Sequence, residues 1–137
     1  MRIFVTAALF IAIAAPAQAA TSITGRWFTD NKDSIIEIGP CGTALCGRVA
    51  RIIAPTPDGK PAVDSNNPDP KLRNRPILGM TLLSGFRDSG KEWSGQIYDP
   101  RAGRTYKSTM QRQANGTLKV KGCWGPFCRS VIFTPAS

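Results

Sequence analysis

The 137-residue chain contains no histidine. Ser-His-Asp and Cys-His nucleophile systems both need an imidazole base, so neither can operate here. Histidine-ligated zinc and non-haem iron sites fall with them. Acidic residues are also scarce, nine against eighteen Lys and Arg, for a net charge of +9. No paired-carboxylate motif stands out among those nine, although Asp and Glu can in principle act as acid and base. No cofactor motif is read. Beyond one apolar run at the N-terminus there is no long hydrophobic stretch, and almost no helical periodicity.

That run is informative. Met1-Arg2 gives a short positive start, residues 3–15 (IFVTAALFIAIAA) are apolar, and Ala17-Gln18-Ala19 is a small-x-small cleavage site. The pattern predicts a signal peptide over residues 1–19, removed on export, and a mature single domain over residues 20–137. The run is too short to span a bilayer comfortably, so no transmembrane segment is expected. The expected location is the periplasm or the medium, where thiols oxidise.

All four cysteines lie beyond the cleavage site. Cys41 and Cys46 form C-x4-C around one turn, and Cys123 and Cys128 repeat the spacing. An all-thiolate zinc site uses similar pairs. The oxidising compartment favours bridges, so no metal is expected. Opposed positions on a tight hairpin bring β-carbons near disulfide range, which favours Cys41–Cys46 and Cys123–Cys128 over the other two connectivities. Cys123-Trp-Gly-Pro-Phe-Cys128 resembles a redox motif in composition, but active pairs use C-x-x-C at a helix start.

The excess positive charge is spread along the chain and often alternates with apolar residues, as on a solvated strand face. No nucleic-acid partner is expected. Loose attraction to anionic lipid head groups or envelope polymers is the more natural consequence.

After residue 20 the chain reads as short strands divided by turn residues. Runs at 23–29, 34–39, 47–53, 80–86, 92–98, 104–112, 117–123 and 129–135 alternate or are β-branched. Ala114-Asn115-Gly116 is a strong hairpin signal. Ala54 to Pro76 differs, with six prolines in twenty-three residues. Such density forbids a central strand. It predicts a long loop without a helix of its own, a length usually tied to function or disorder. About eight antiparallel strands at this spacing predict an all-β fold, an up-and-down barrel or a sandwich, and closure favours the barrel because it removes exposed edges.

Gly25-Arg26-Trp27 resembles the G-x-W of lipocalins. More specific is Asp64-x-x-Asn67-Pro68-Asp69-x-x-Leu72-Arg73-x-Arg75-Pro76-Ile77-Leu78-Gly79, followed by Gly95-Gln96-Ile97-Tyr98-Asp99-Pro100-x-x-Gly103-x-x-Tyr106 and Gly122-Cys123. This combination resembles the bacterial DUF2147 family over about Gly25 to Thr134. The resemblance implies a lipocalin-like barrel outside the cytosol and no established reaction. The chain departs from the family at its end, where Val131-Ile132-Phe133-Thr134-Pro135 replaces a Trp-Thr-Arg type ending.

The same residues carry the expected site. Pro76 pins Arg75 in an extended conformation. Arg73 or Arg75 is expected to turn inward, either pairing with Asp64 or Asp99 to anchor the loop, or offering a guanidinium fork to an anionic ligand. Tyr98 and Tyr106 straddle the Asp99-Pro100 turn and are read as facing each other. Trp27 is expected to plug the closed end, and Trp93 to line a pocket with Ile36, Ile38, Val49 and Ile97. The ligand-binding set is thus Arg73, Arg75, Trp93, Tyr98, Asp99 and Tyr106. The expected function is non-enzymatic binding of a small amphipathic or anionic molecule, such as a fatty acid or other lipid. The alternatives are an envelope interaction module with a packed barrel, and an enzyme using Asp99 with Tyr98 or Tyr106.

Overall fold

The computed structural model describes residues 9–15 and 19–137. Met1-Arg2, the part of the apolar run before Leu9, and Ala17 and Gln18 of the expected cleavage site lie outside them. Eight antiparallel strands close a barrel in simple chain order: β1 (Gly25–Phe28), β2 (Ser34–Cys41), β3 (Ala44–Ile52), β4 (Thr81–Asp88), β5 (Trp93–Asp99), β6 (Arg104–Arg112), β7 (Leu118–Trp124) and β8 (Phe127–Pro135). The ring is sealed by β1 on β8, with Trp27 opposite Pro135 and Phe28 opposite Thr134. All of this closure lies within residues 25–135. Leu9, Phe10, Ile11 and Ile13 are exposed and belong to no strand. No helix among the described residues is long and apolar enough to cross a membrane.

Local chemistry explains the element order. Strand side chains alternate between faces, so each strand offers one apolar row to the interior. Met110, Val120 and Phe133 are buried members of these rows, with Ile36, Val49 and Leu83 from the other side of the ring. Turns sit where the backbone needs a left-handed first residue: Gly42 (φ 66°) between β2 and β3, and Gly125 (φ 57°) between β7 and β8. Two close approaches require glycine for another reason. A β-carbon on Gly47 would strike Leu83, and one on Gly95 would strike Phe86 and the Ser84 carbonyl.

Both expected disulfides are present, with Cα–Cα distances of 5.5 Å for Cys41–Cys46 and 4.1 Å for Cys123–Cys128. Their geometry differs from the simple expectation in one respect. Cys123 stands directly opposite Cys128, whereas Cys41 faces Ala44 and Cys46 faces Gly39, so the first bridge is diagonal. The two-residue turn at Gly42-Thr43 brings the strands together sooner than the expected start of β3 at Gly47 allowed.

The long β3–β4 segment is more ordered than a bare loop. Asp69 caps a single 3-10 turn, Pro70–Leu72, by accepting from the Lys71 amide at 3.0 Å. Val63 forms an isolated bridge with Pro76. The proline-rich composition excluded a helix of useful length but left room for one turn, since proline is well tolerated at its first position.

Candidate functional site

One end of the barrel is open. The β1–β2 turn, the long segment, the β5–β6 turn and the β7–β8 hairpin surround a cavity of about 920 Å³. Its walls are Ile36, Val49, Leu83, Ile97, Val120, Val131 and Phe133, with Tyr106 and Trp124 nearer the mouth. At the other end Trp27 is 2% exposed and donates its indole N–H to the Ile23 carbonyl at 2.9 Å. The Arg112 guanidinium covers its ring at 5.3 Å.

The interior rows explain why space remains above the packed end. Gly95, Ser108 and Gly122 pair across β5, β6 and β7, and Arg129 of β8 completes the row. Of the three, Gly122 lines the cavity and leaves volume that a larger side chain would fill, whereas the place of a Gly95 side chain is taken by Phe86. The row also brings Arg129 to the cavity wall. It is in phase with the apolar Val131 and Phe133, a signal legible in the sequence that the motif-based reading missed. Among the described residues Arg129 makes no ion pair. Ser108 is 4% exposed, and its hydroxyl has no partner among the described residues.

The rim is polar. Asp99 Oδ1 accepts from the Arg101 amide at 2.9 Å, which shapes the β5–β6 turn. The Arg101 guanidinium lies 3.8 Å from Asp99 and 4.0 Å from Asp33, linking two turns across the mouth. Asn66 of the long segment donates to the Arg101 carbonyl at 3.0 Å. Gly103 is in the left-handed region (φ 62°), and a β-carbon there would fall on the Asn66 carbonyl. The segment thus rests on the β5–β6 hairpin along the cavity mouth.

Beneath that contact is a buried polar knot. Asp64 is fully buried. Its Oδ2 accepts from Asn67 at 2.7 Å and from Arg75 at 3.0 Å, and its Oδ1 accepts from the Tyr98 hydroxyl at 2.7 Å. The Asp64 amide donates in turn to the Arg75 carbonyl at 2.9 Å. Burial alone would raise the Asp64 carboxyl. The hydrogen bonds from Asn67, Tyr98 and Arg75, with the Arg75 charge, outweigh it and hold the pKa below the ordinary value of 3.8. Burial, reinforced by the neighbouring Asp64 charge, pushes the Tyr98 phenol up to about 12.

The expected site residues separate accordingly. Asp99 and Tyr106 line the cavity, as does Tyr98 at its edge, although the Tyr98 hydroxyl is committed to Asp64. The two tyrosines do not face each other: Tyr98 is opposite Thr105, and Tyr106 is opposite Ile97. Arg75 belongs to the knot, and Arg73 donates from Nε to the Asn67 carbonyl at 2.8 Å. Neither arginine lines the cavity.

Trp93 is also displaced from the expected pocket. Its face was read correctly, since it shares the inward row with Ile97, but β5 begins at the closed end. There its indole donates to the Thr21 carbonyl at 3.0 Å. Ile38 lies in the packed core rather than on the cavity wall. Trp124 takes the place expected for Trp93, with Arg104 4.5 Å over its ring and Tyr106 edge-on at 6.1 Å.

Residues 25–134 match the bacterial family described as "Uncharacterized protein conserved in bacteria (DUF2147)", and the chain belongs to that family. A solved structure from the human pathogen Helicobacter pylori, described as belonging to the lipocalin family, is similar at 25% sequence identity with a TM-score of 0.72. The similarity covers 86% of this chain and 85% of that one. No curated relative matches the sequence.

Proposed function

We propose that this DUF2147 barrel is an exported, non-enzymatic carrier of a small amphipathic molecule, held in the open cavity with its apolar body inward. The cavity carries the reading. Its volume of about 920 Å³ is within the usual range for small-molecule sites. Aliphatic side chains from six strands line it, and charged groups gather only at its upper wall and rim. Arg129 is the anion contact in this reading, in place of Arg73 or Arg75. A guanidinium on an apolar wall suits a carboxylate or phosphate head group. A fatty acid or related lipid has the required form. The lipocalin assignment of the Helicobacter pylori protein supports the same class of function.

Export is supported by the signal-peptide pattern and by two disulfides on neighbouring strands. An open interior weighs against the packed interaction module. A catalytic role for Tyr98 is disfavoured because its hydroxyl is tied to a buried carboxylate and its pKa is pushed up to about 12.

Native mass spectrometry of protein purified from the periplasmic fraction without detergent tests the proposal. A mass excess released as lipid on organic extraction supports it. A bare mass that persists after incubation with envelope lipid extract overturns it.

A further inference from the structure

The strongest feature outside the cavity is a charge asymmetry joined to an exposed aromatic tip. Residues 100–137 contain seven basic side chains and no Asp or Glu. They form β6, β7 and β8, contiguous strands of the wall. Alternation aims Lys107, Lys119 and Lys121 outward, because the residues in phase with them are opposite those of the buried row Ser108, Met110, Leu118 and Val120. Among the described residues none of these lysines makes an ion pair.

The β7–β8 hairpin projects at the mouth end of this basic face. Phe127 is 77% exposed and Trp124 52% exposed on either side of Gly125-Pro126. Val63 and Ile53, also exposed, lie near the mouth on the long segment and at the end of β3. Arg104 stacks on Trp124, and Arg129 lies on the adjoining cavity wall. Of the carboxylates lining the mouth, Asp33 and Asp99 are bridged by Arg101, and Asp30 on the β1–β2 turn makes no ion pair among the described residues.

We propose that the β7–β8 hairpin docks the barrel, mouth first, onto an anionic lipid bilayer, with Phe127 and Trp124 entering the interface and the cations nearest the mouth, Arg104, Lys107 and Lys121, contacting head groups. Charge complementarity argues for a phospholipid surface: each basic residue near such a surface contributes about 1 kcal/mol. The aromatic pair argues for a bilayer over a soluble acidic partner. Aromatic rings flanked by arginine and lysine suit the boundary between head groups and acyl chains. The cavity opens at the same edge, so docking would place its mouth against the membrane. Docking goes beyond the carrier reading and does not require a ligand in the cavity.

The test uses the chain from residue 20, which holds every strand of the closed barrel and omits the apolar N-terminal run. Sedimentation with vesicles of phosphatidylglycerol and phosphatidylcholine in equal parts is compared with phosphatidylcholine alone. Binding is expected only to the anionic vesicles. Phe127→Ser should weaken it about tenfold. Lys107→Gln and Lys121→Gln should each weaken it about fivefold, the equivalent of about 1 kcal/mol.

Lipids brominated along the acyl chain provide the orientation readout. They should quench tryptophan emission in the native chain and not in Trp124→Tyr, because Trp27 is buried and Trp93 lies at the far end. Equal binding to both vesicles, no loss in Phe127→Ser, or quenching that survives in Trp124→Tyr would each overturn the proposal. A cavity later found empty would leave these results unchanged.

Discussion

The Tyr98 hydroxyl donates to Asp64 at 2.7 Å, and through this bond a barrel strand holds the long β3–β4 segment. Tyr98→Phe removes the donor without changing the ring. A hydrogen bond to a charged group contributes about 1.5–3 kcal/mol, and a loss of that order is expected in urea denaturation. Limited proteolysis between residues 54 and 76 should accelerate in the same variant. Unchanged stability would mean that Asn67 and Arg75 suffice to hold Asp64.

The knot also sets a pH dependence. Asp64 has a folded pKa below its ordinary 3.8, so its stabilising contribution is present above that value and fades as pH falls through the folded one. The Tyr98 phenol has a folded pKa raised from 10.0 to about 12, so its contribution is present below pH 10 and is lost as pH rises through about 12. Thermal melts should show an acid limb weakened in Asp64→Asn and an alkaline limb weakened in Tyr98→Phe. Limbs identical to the parent's would refute this assignment.

Gly103→Ala and Gly116→Ala both place an alanine at positive φ, but only the first collides with another segment. The shared backbone cost is about 1–2 kcal/mol. Gly103→Ala should cost more than Gly116→Ala and should speed amide exchange around Asn66. Equal effects would show that the segment yields freely at this contact.

Gly122 lines the cavity, and a β-carbon there would meet its neighbours only at ordinary distances, with Tyr106 at 3.7 Å. Gly122→Leu should therefore fold and occupy cavity space, abolishing uptake of a fluorescent fatty acid. Arg129→Gln should reduce uptake of that acid about tenfold, since a charge-assisted bond is lost, while sparing the corresponding alcohol. Equal losses for acid and alcohol would exclude Arg129 as the anion contact.

The two bridges close short loops at opposite ends of the barrel. Replacing either cysteine pair by serine should cost about 2 kcal/mol by the loop-entropy relation. Only the Cys123, Cys128 double variant should loosen the hairpin that carries Trp124 and Phe127. Its exchange rates at the tip would show this directly.

The sequence by itself determined the strand count, the order of the ring and both cysteine pairings, because these depend on neighbours within one hairpin. Turn residues such as Asn115-Gly116 state where a strand ends, and period-two alternation states which side chains share a face. Alternation put Trp93 and Ile97 on one row correctly. Only the closed barrel decided that Trp93 stands at the packed end and Trp124 at the mouth, since a row has no end until all strands are in register. The loop motif posed the same difficulty. Asp64, Asn67 and Arg75 are near in sequence, but Tyr98 reaches them only after β5 is in place. Arg73 and Arg75 were therefore left open between pairing with Asp64 or Asp99 and contacting a ligand, and the assembled loop uses both, Arg75 on Asp64 and Arg73 on the Asn67 carbonyl. Arg129 became a cavity residue because Gly122, its partner on β7, left space beside it, and that space exists only in the assembled wall.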